Sequence, residues 1–281
     1  MRKILKAGVI GHPIAHSKSP IIHGYWLQKY GIAGEYLRYD IAPQDLKSEV
    51  ARLVDSGLRG FNVTIPHKES ILELCANRSE LAQKIGAANT ITIDDTGRLH
   101  ADSTDGFGFL QNMAAHVPDL NWRNKTIMIL GAGGAARAIV WALMTVDVGQ
   151  IILVNRTYDK AVALCAELTN QYEGMSEIIP GHWAEIPDFL PRCDVVVNTT
   201  SLGMTGQAAL EINLAPLPAN AVVSDIVYAP LETELLKQAR GRGLSAVTGI
   251  GMLLHQARPG FERWFGVKPD VTAELESLVL S

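Results

Sequence analysis

The sequence predicts an α/β protein of two units, the second of them built on a doubly wound parallel sheet. Three observations carry this. Short β-branched runs alternate with helical patterns along the whole chain, the order expected of βαβ units. A length of 281 residues matches two domains at roughly 150 residues each. In the second half a glycine-rich turn directly joins an apolar strand to an apolar-periodic helix.

The elements follow in order. KAGVIG reads as a strand and is followed by a helix over 21–30; EYLRYDI is followed by a helix over 46–54, and GFNVTI by one over 71–74. This implies a largely parallel sheet. Over 89–102 the pattern changes to NTITI and RLHA, joined by Asp94-Asp95-Thr96-Gly97, whose Asp and Gly suit a tight hairpin turn closing the first domain. A helix over 106–116 leads to VPDLNWRNK, a polar, proline-containing segment that reads as the domain boundary. Beyond it TIMIL, IILVN, DVVVN, AVVSDIV and SAVT read as strands, with helices over 161–168, from Glu232 and from Met252. That succession describes a doubly wound sheet.

Composition narrows the function classes. Hydrophobic residues make up 47% and charged residues 19%, which excludes disordered, collagen-like and low-complexity chains. With 25 Lys and Arg against 29 Asp and Glu, the formal charge of -4 leaves no global footprint for nucleic acid or an anionic membrane. Cys75, Cys165 and Cys193 are odd in number and far apart, so neither a disulfide framework nor a zinc knuckle is expected, and a reducing cytoplasm fits best. Lys6 and His12-Pro13 interrupt the N-terminal apolar run before a signal core forms, and no apolar run reaches about 18 residues. His12, His16 and His23 are not aligned on one helical face and lack a completing Cys or carboxylate, so no metal is expected.

Gly131-Ala-Gly133-Gly134-Ala135-Ala136 stands between IMIL and AIVWALM. In that context the glycines let backbone approach a pyrophosphate, and free N–H groups at the helix start favour the anion. The next strand ends in Asn155-Arg156-Thr157, where an NAD site would usually carry a carboxylate. An amide, a guanidinium and a hydroxyl, with Lys160 one turn on, suit the 2′-phosphate of NADP. Thr157 as a plain N-cap is the alternative.

In the first half, Ser19-Pro20 reads as an N-cap with Pro at the first helical position, and Ser17 and Ser19 together also offer a small carboxylate site. Phe61 to Lys68 ends a strand and opens the helix ESILELC, placing Asn62, Thr64 and Lys68 at a carboxyl strand edge. A cation in a first helical turn opposes the helix dipole, which argues for a role beyond stability, although a solvated Lys is the ordinary alternative. Asp105 is either an N-cap or, with Lys68, half of a proton-transfer pair for alcohol chemistry.

The blocks GHPIAHSKSP, GFNVTIPHK, GAANT, STDGFG, GAGGAARA, NRT, NTTSLGM, DIVYAP and GIGMLLHQA run in order over nearly the whole chain and resemble the shikimate dehydrogenase family. The resemblance implies an N-terminal α/β substrate domain, 1–108 plus 254–281, and a Rossmann-type NADP-binding domain, 109–253, with substrate held between them. It implies NADP-dependent interconversion of shikimate and 3-dehydroshikimate in aromatic amino acid biosynthesis. Carried over by position, Ser17 and Ser19 would hold the ring carboxylate, and Thr64, Asn89, Tyr228 and Gln256 would line the pocket. Lys68, the acid/base candidate, and Asp105 would bond the reacting hydroxyl. Gly131, Gly133, Gly134 and Ala135 would cradle the diphosphate and Asn155, Arg156 and Thr157 the adenosine phosphate. Ile226 and Gly249 would lie near the nicotinamide, with Met252 packed by that ring. Two departures stand out: Gly24 replaces the usual Asn after SPxxH, and Lys160 replaces a second Arg, keeping charge without the planar fork. The rival readings are a quinate or quinate/shikimate dehydrogenase using NAD or NADP, and a non-catalytic NADPH-sensing regulator. Expected partners are small molecules, not nucleic acid or membrane, with a homodimer left open.

Overall fold

The computed structural model describes residues 4–172 and 174–281. The chain forms two compact units, Met1–Asp105 with Leu254–Ser281, and Gly106–Leu253. The polar segment over 117–125 lies inside the second unit.

The first unit is built on β1 (Leu5–Gly11), β2 (Gly34–Asp40), β3 (Gly60–Val63), β4 (Asn77–Arg78), β5 (Thr90–Ile93) and β6 (Leu99–Asp102), in the order β2-β1-β3-β5-β6-β4. β1 runs parallel to β2 and β3, but β5 runs antiparallel to both of its neighbours, β3 and β6. The sheet is therefore mixed, not largely parallel, because the hairpin pairs directly on β3, with Asn62 opposite Thr90. Its turn is held by Asp94, whose Oδ1 accepts the Thr96 and Arg98 N–H groups, and by Gly97 at φ +80°.

Helices Ser19–Lys29 and Leu46–Asp55 form where apolar periodicity places them. The core gathers Ile10, Phe61, Val63, Ile71 and Ile91. From the helix Ile250–Phe265, Trp264 is buried and its Nε1–H donates to the Ile91 carbonyl at 3.0 Å. Trp26 does the same to Asp270 at 2.9 Å. These bonds fasten the C-terminal segment to the first unit.

In the second unit β7 (Thr126–Leu130), β8 (Gln150–Asn155), β9 (Glu177–His182), β10 (Val195–Asn198), β11 (Val222–Asp225) and β12 (Ser245–Val247) lie in the order β12-β11-β10-β7-β8-β9. All neighbours are parallel. This is the doubly wound order that reverses between the first and fourth strands, here between β7 and β10, where such sheets bind ligands. β7 and β10 are apolar over all but one end residue because both faces are covered, and β11 is buried along its length although it ends in Ser224 and Asp225.

All three cysteines are free and buried, and burial pushes their thiols up, Cys75 to about 11 and Cys165 and Cys193 to about 12. Among the described residues no helix is long and apolar enough to cross a membrane.

Candidate active site

Lys68 sits on a turn that leaves the carboxyl end of β3. The turn is closed by the His67 N–H on the Thr64 carbonyl at 2.9 Å and anchored by the buried His67 ring, whose Nε2–H donates to the Ile41 carbonyl at 2.7 Å. The Lys68 carbonyl accepts the Ala88 N–H at 2.8 Å. The expected α-helix after this turn is only a 3-10 segment, Ser70–Leu74, since ESILELC has too few residues before Cys75 turns extended. Lys68 therefore does not stand in the first turn of an α-helix and faces no α-helix dipole from this segment. What faces its ammonium is Asp105, with Nζ 2.5 Å from Oδ2 and side-chain exposures of 23% and 11%.

Asp105 is the first residue of the helix Asp105–His116, but its carboxylate is not spent on capping. Oδ1 accepts from Asn89 Nδ2 at 2.7 Å, and the other Asn89 amide proton goes to Gln256 Oε1 at 3.1 Å. Asn89 Oδ1 in turn accepts from Thr104 N, Thr104 Oγ1 and Thr90 Oγ1. Thr104 Oγ1 also lies 2.8 Å from the Gln256 carbonyl. Asn62 donates to the Asn89 carbonyl and accepts from the Tyr36 hydroxyl at 2.7 Å. Asn62, though named as an edge residue, is buried within β3 and committed to this network. Every donor of Asn89 is used, so its amide orientation is dictated and Asp105 is aimed at Lys68.

Ser19 is not an N-cap. Lys18 holds that position, Ser19 and Pro20 are the first two helical residues, and the buried Ser19 donates its N–H to Ser17 Oγ at 3.3 Å. The Ser17 hydroxyl thus lies against the start of the helix, where an anion is favoured. The Ser17 carbonyl is gripped by Arg38 on β2 through Nε at 3.0 Å and Nη2 at 2.6 Å. Thr64 is half-buried, and its Cγ2 occupies the space that a Cβ on Gly11 would need, at 2.5 Å. Arg38, Tyr36, His67, Thr90 and Thr104 were not among the expected site residues. His67, Thr90 and Thr104 fall inside the quoted motif blocks, but the contacts that give them their place are with residues such as Ile41, Thr104 and Asn89, which spacing alone does not reveal; Tyr36 and Arg38 lie outside every block.

In the second unit Gly131 directly follows β7 at φ +108°, and a Cβ there would lie 2.8 Å from Thr199 Oγ1, which itself donates to the Leu130 carbonyl. Gly133 caps the helix Gly134–Met144, in whose first turn Ala135 stands. A Cβ on Gly133 or Gly134 would project into open space over the turn. This is a cradle that fits a diphosphate. Asn155 ends β8 and donates Nδ2–H to the Thr157 carbonyl at 2.8 Å. Thr157 occupies the N-cap position of Tyr158–Gln171, yet its hydroxyl makes no cap bond. Arg156, Thr157 and Lys160 are exposed together at that strand end, a donor set matched to a phosphate monoester.

At the carboxyl end of β11 the buried Asp225 accepts Asn198 Nδ2–H at 2.9 Å, the Val227 N–H at 3.0 Å and the Thr233 hydroxyl at 2.7 Å. Burial raises its pKa, while those donors oppose the shift. The following residue, Ile226, packs so closely on Gly249 that a Cβ there would fall 2.2 Å from the Ile226 oxygen. Tyr228 is half-buried in this second unit, and burial raises its hydroxyl pKa. Met252 is buried.

Among the described residues no group of three His, Cys, Asp or Glu could hold a metal ion. His12 instead pairs with Asp40 at 2.7 Å, and His23 is enclosed by aromatic rings.

Comparison with known proteins gives a consistent answer. Family models match over residues 9–91 (shikimate dehydrogenase substrate binding domain), 112–207 (shikimate / quinate 5-dehydrogenase) and 249–275 (shikimate 5'-dehydrogenase C-terminal domain). The chain is 48% identical over 274 residues to a shikimate dehydrogenase (NADP(+)) of Rhodospirillum rubrum, covering 98% of this chain and 96% of that one. The shikimate 5-dehydrogenase of Thermus thermophilus, solved with NADP(H) and shikimate, superposes with TM-score 0.85 at 32% identity, covering 98% of each chain. The quinate dehydrogenase of Corynebacterium glutamicum, solved with NAD, gives 0.91 at 32% identity over 99% of each.

Proposed function

The chain belongs to the shikimate dehydrogenase family, and from that membership we propose that it is an NADP-dependent shikimate dehydrogenase, interconverting shikimate and 3-dehydroshikimate. The observation that carries the chemistry is the Lys68–Asp105 pair, held by Asn89. Residues 1–108 with 254–281 take the substrate and 109–253 take NADP.

The ring carboxylate binds at the Ser17 and Ser19 hydroxyls, with Arg38 fixing the Ser17 peptide. Thr64 and Gln256 complete the substrate contacts of the first unit. The reacting hydroxyl sits against Lys68 and Asp105. Oxidation of an alcohol carbon removes a hydride from carbon and a proton from oxygen, and a positioned side chain can take that proton. Lys68 manages that oxygen proton, accepting it as the neutral amine in oxidation and returning it as the ammonium in reduction, while Asp105 holds the Lys68 side chain in line. NADP supplies the hydride acceptor when bound. Gly131, Gly133, Gly134 and Ala135 hold its diphosphate, Asn155, Arg156, Thr157 and Lys160 its 2′-phosphate, and Ile226 and Gly249 its nicotinamide end.

The chain's partners are small molecules, and the free buried cysteines suit a reducing cytoplasm. The test is NADPH formation followed at its absorbance band with shikimate or quinate, and with NADP or NAD. Shikimate with NADP turns over fastest on this reading. Faster turnover of quinate with NAD would assign the quinate reaction instead, and nucleotide binding without turnover of either acid would indicate a sensor.

A further inference from the structure

Asp225 is a buried charge that the mechanism does not use. It is fully buried, and its three partners, Asn198 Nδ2, the Val227 N–H and the Thr233 hydroxyl, all donate to it. An ionised carboxylate, which only accepts, matches all three of these donors at once. The same atoms tie together three segments: the end of β10, the chain after β11, and Thr233, the N-cap of the helix Glu234–Gly241. Asn198 also accepts from Thr200 N and Oγ1, which extends the tie into the loop after β10.

The position of this anion gives it a use. Asp225 immediately precedes Ile226, and Ile226 and Gly249 form the closely packed backbone wall assigned above to the nicotinamide. The nicotinamide ring carries a positive charge when oxidised and none when reduced. A fixed negative charge in a low-dielectric setting acts on the first form and not on the second. We infer that Asp225 is a positioning residue with an electrostatic function: it favours the oxidised, cationic nicotinamide over the reduced one and so sets the balance between NADP+ and NADPH on the protein. This inference rests on the proposed placement of the nicotinamide.

The test compares dissociation constants of NADP+ and NADPH, measured by calorimetry and NADPH fluorescence without substrate. Asp225→Asn is nearly isosteric and removes the charge; the ratio of the NADP+ constant to the NADPH constant should rise about three- to tenfold. Thr233→Val keeps the charge and loses a tether, so both constants should move together and the ratio should hold. Should Asp225→Asn not fold, Asp225→Ser removes the same charge with a smaller side chain that can still accept a hydrogen bond, and the ratio should again rise. An unchanged ratio in the charge-removing variant, or an equal change in Thr233→Val, overturns the inference. Failure of the unaltered protein to bind either nucleotide would overturn the cofactor reading itself.

Discussion

Lys68 Nζ stands 2.5 Å from Asp105 Oδ2, and the other Asp105 oxygen is held 2.7 Å from Asn89 Nδ2. The ammonium is thus fixed by a carboxylate that is itself fixed, which is how a proton-transfer group is pre-positioned. Lys68→Met should lower kcat by roughly two to four orders of magnitude, the range for loss of a general acid–base. NADP affinity should stay unchanged, because no nucleotide-binding group is altered. Steady-state rates and calorimetric binding on the same preparation check this; an unchanged kcat removes Lys68 from the mechanism.

Asn89 links Asp105, Gln256, Thr90 and Thr104 through one amide. Asn89→Ala leaves a buried carboxylate oxygen and several donors without partners, at a cost of about 1–3 kcal/mol in folding stability. Since Asp105 then loses its brace, kcat should fall as well. Urea unfolding together with kinetics tests both; full activity in a destabilised protein would show that Asn89 supports the fold without aiming the pair.

The contrast between these two sites explains how much was legible in the sequence. The glycine turn lies in one contiguous strand–turn–helix, so Gly131, Gly133 and Gly134 declared themselves. The network around Asn89 draws on residues 36, 62, 89, 90, 104 and 256, and no spacing rule connects them. The apolar spacing of 71–74 suggested a helix, but so short a stretch is equally satisfied by a 3-10 turn. β9 carries no clear strand signal because Pro180 interrupts its pattern; as an edge strand it tolerates that missing donor.

Gly249 is a position where only hydrogen fits. A Cβ would fall 2.2 Å from the Ile226 oxygen and 2.7 Å from that of Val227, and backbone atoms cannot swing aside as a side-chain end could. Gly249→Ala should cost about 1–3 kcal/mol in stability, as overpacking typically does. It should also weaken NADP by displacing the Ile226 wall. Thermal unfolding and calorimetric titration measure the two effects, and wild-type values for both would show that the wall yields freely.

Arg156 is exposed at the end of β8 beside Thr157 and Lys160, with no carboxylate at Asn155 to oppose a phosphate. Arg156→Ala should weaken NADP by roughly 10- to 100-fold, the worth of a charge-assisted hydrogen bond. NAD, which lacks the 2′-phosphate, should bind as before. Dissociation constants for both nucleotides decide it, and equal losses would contradict the phosphate assignment.

His23 is fully buried, its ring lies flat on Tyr36 at 3.9 Å, and neither ring nitrogen has a hydrogen-bond partner among the described residues. Burial lowers its pKa from 6.5 to about 3, so it folds as the neutral imidazole. In the unfolded chain it takes up a proton below about pH 6.5, and in the folded chain only near pH 3. The unfolded state therefore binds more protons across that window, and stability is full above it and falls as pH drops through it. At pH 5 the loss attributable to this residue is about 2 kcal/mol. His23→Phe keeps the stacked ring and abolishes the titration. Urea unfolding at pH 7 and pH 5 should show the variant losing about 2 kcal/mol less than the parent over that interval. Identical losses in the two proteins would mean that His23 is already protonated, or reached by water, in the folded state.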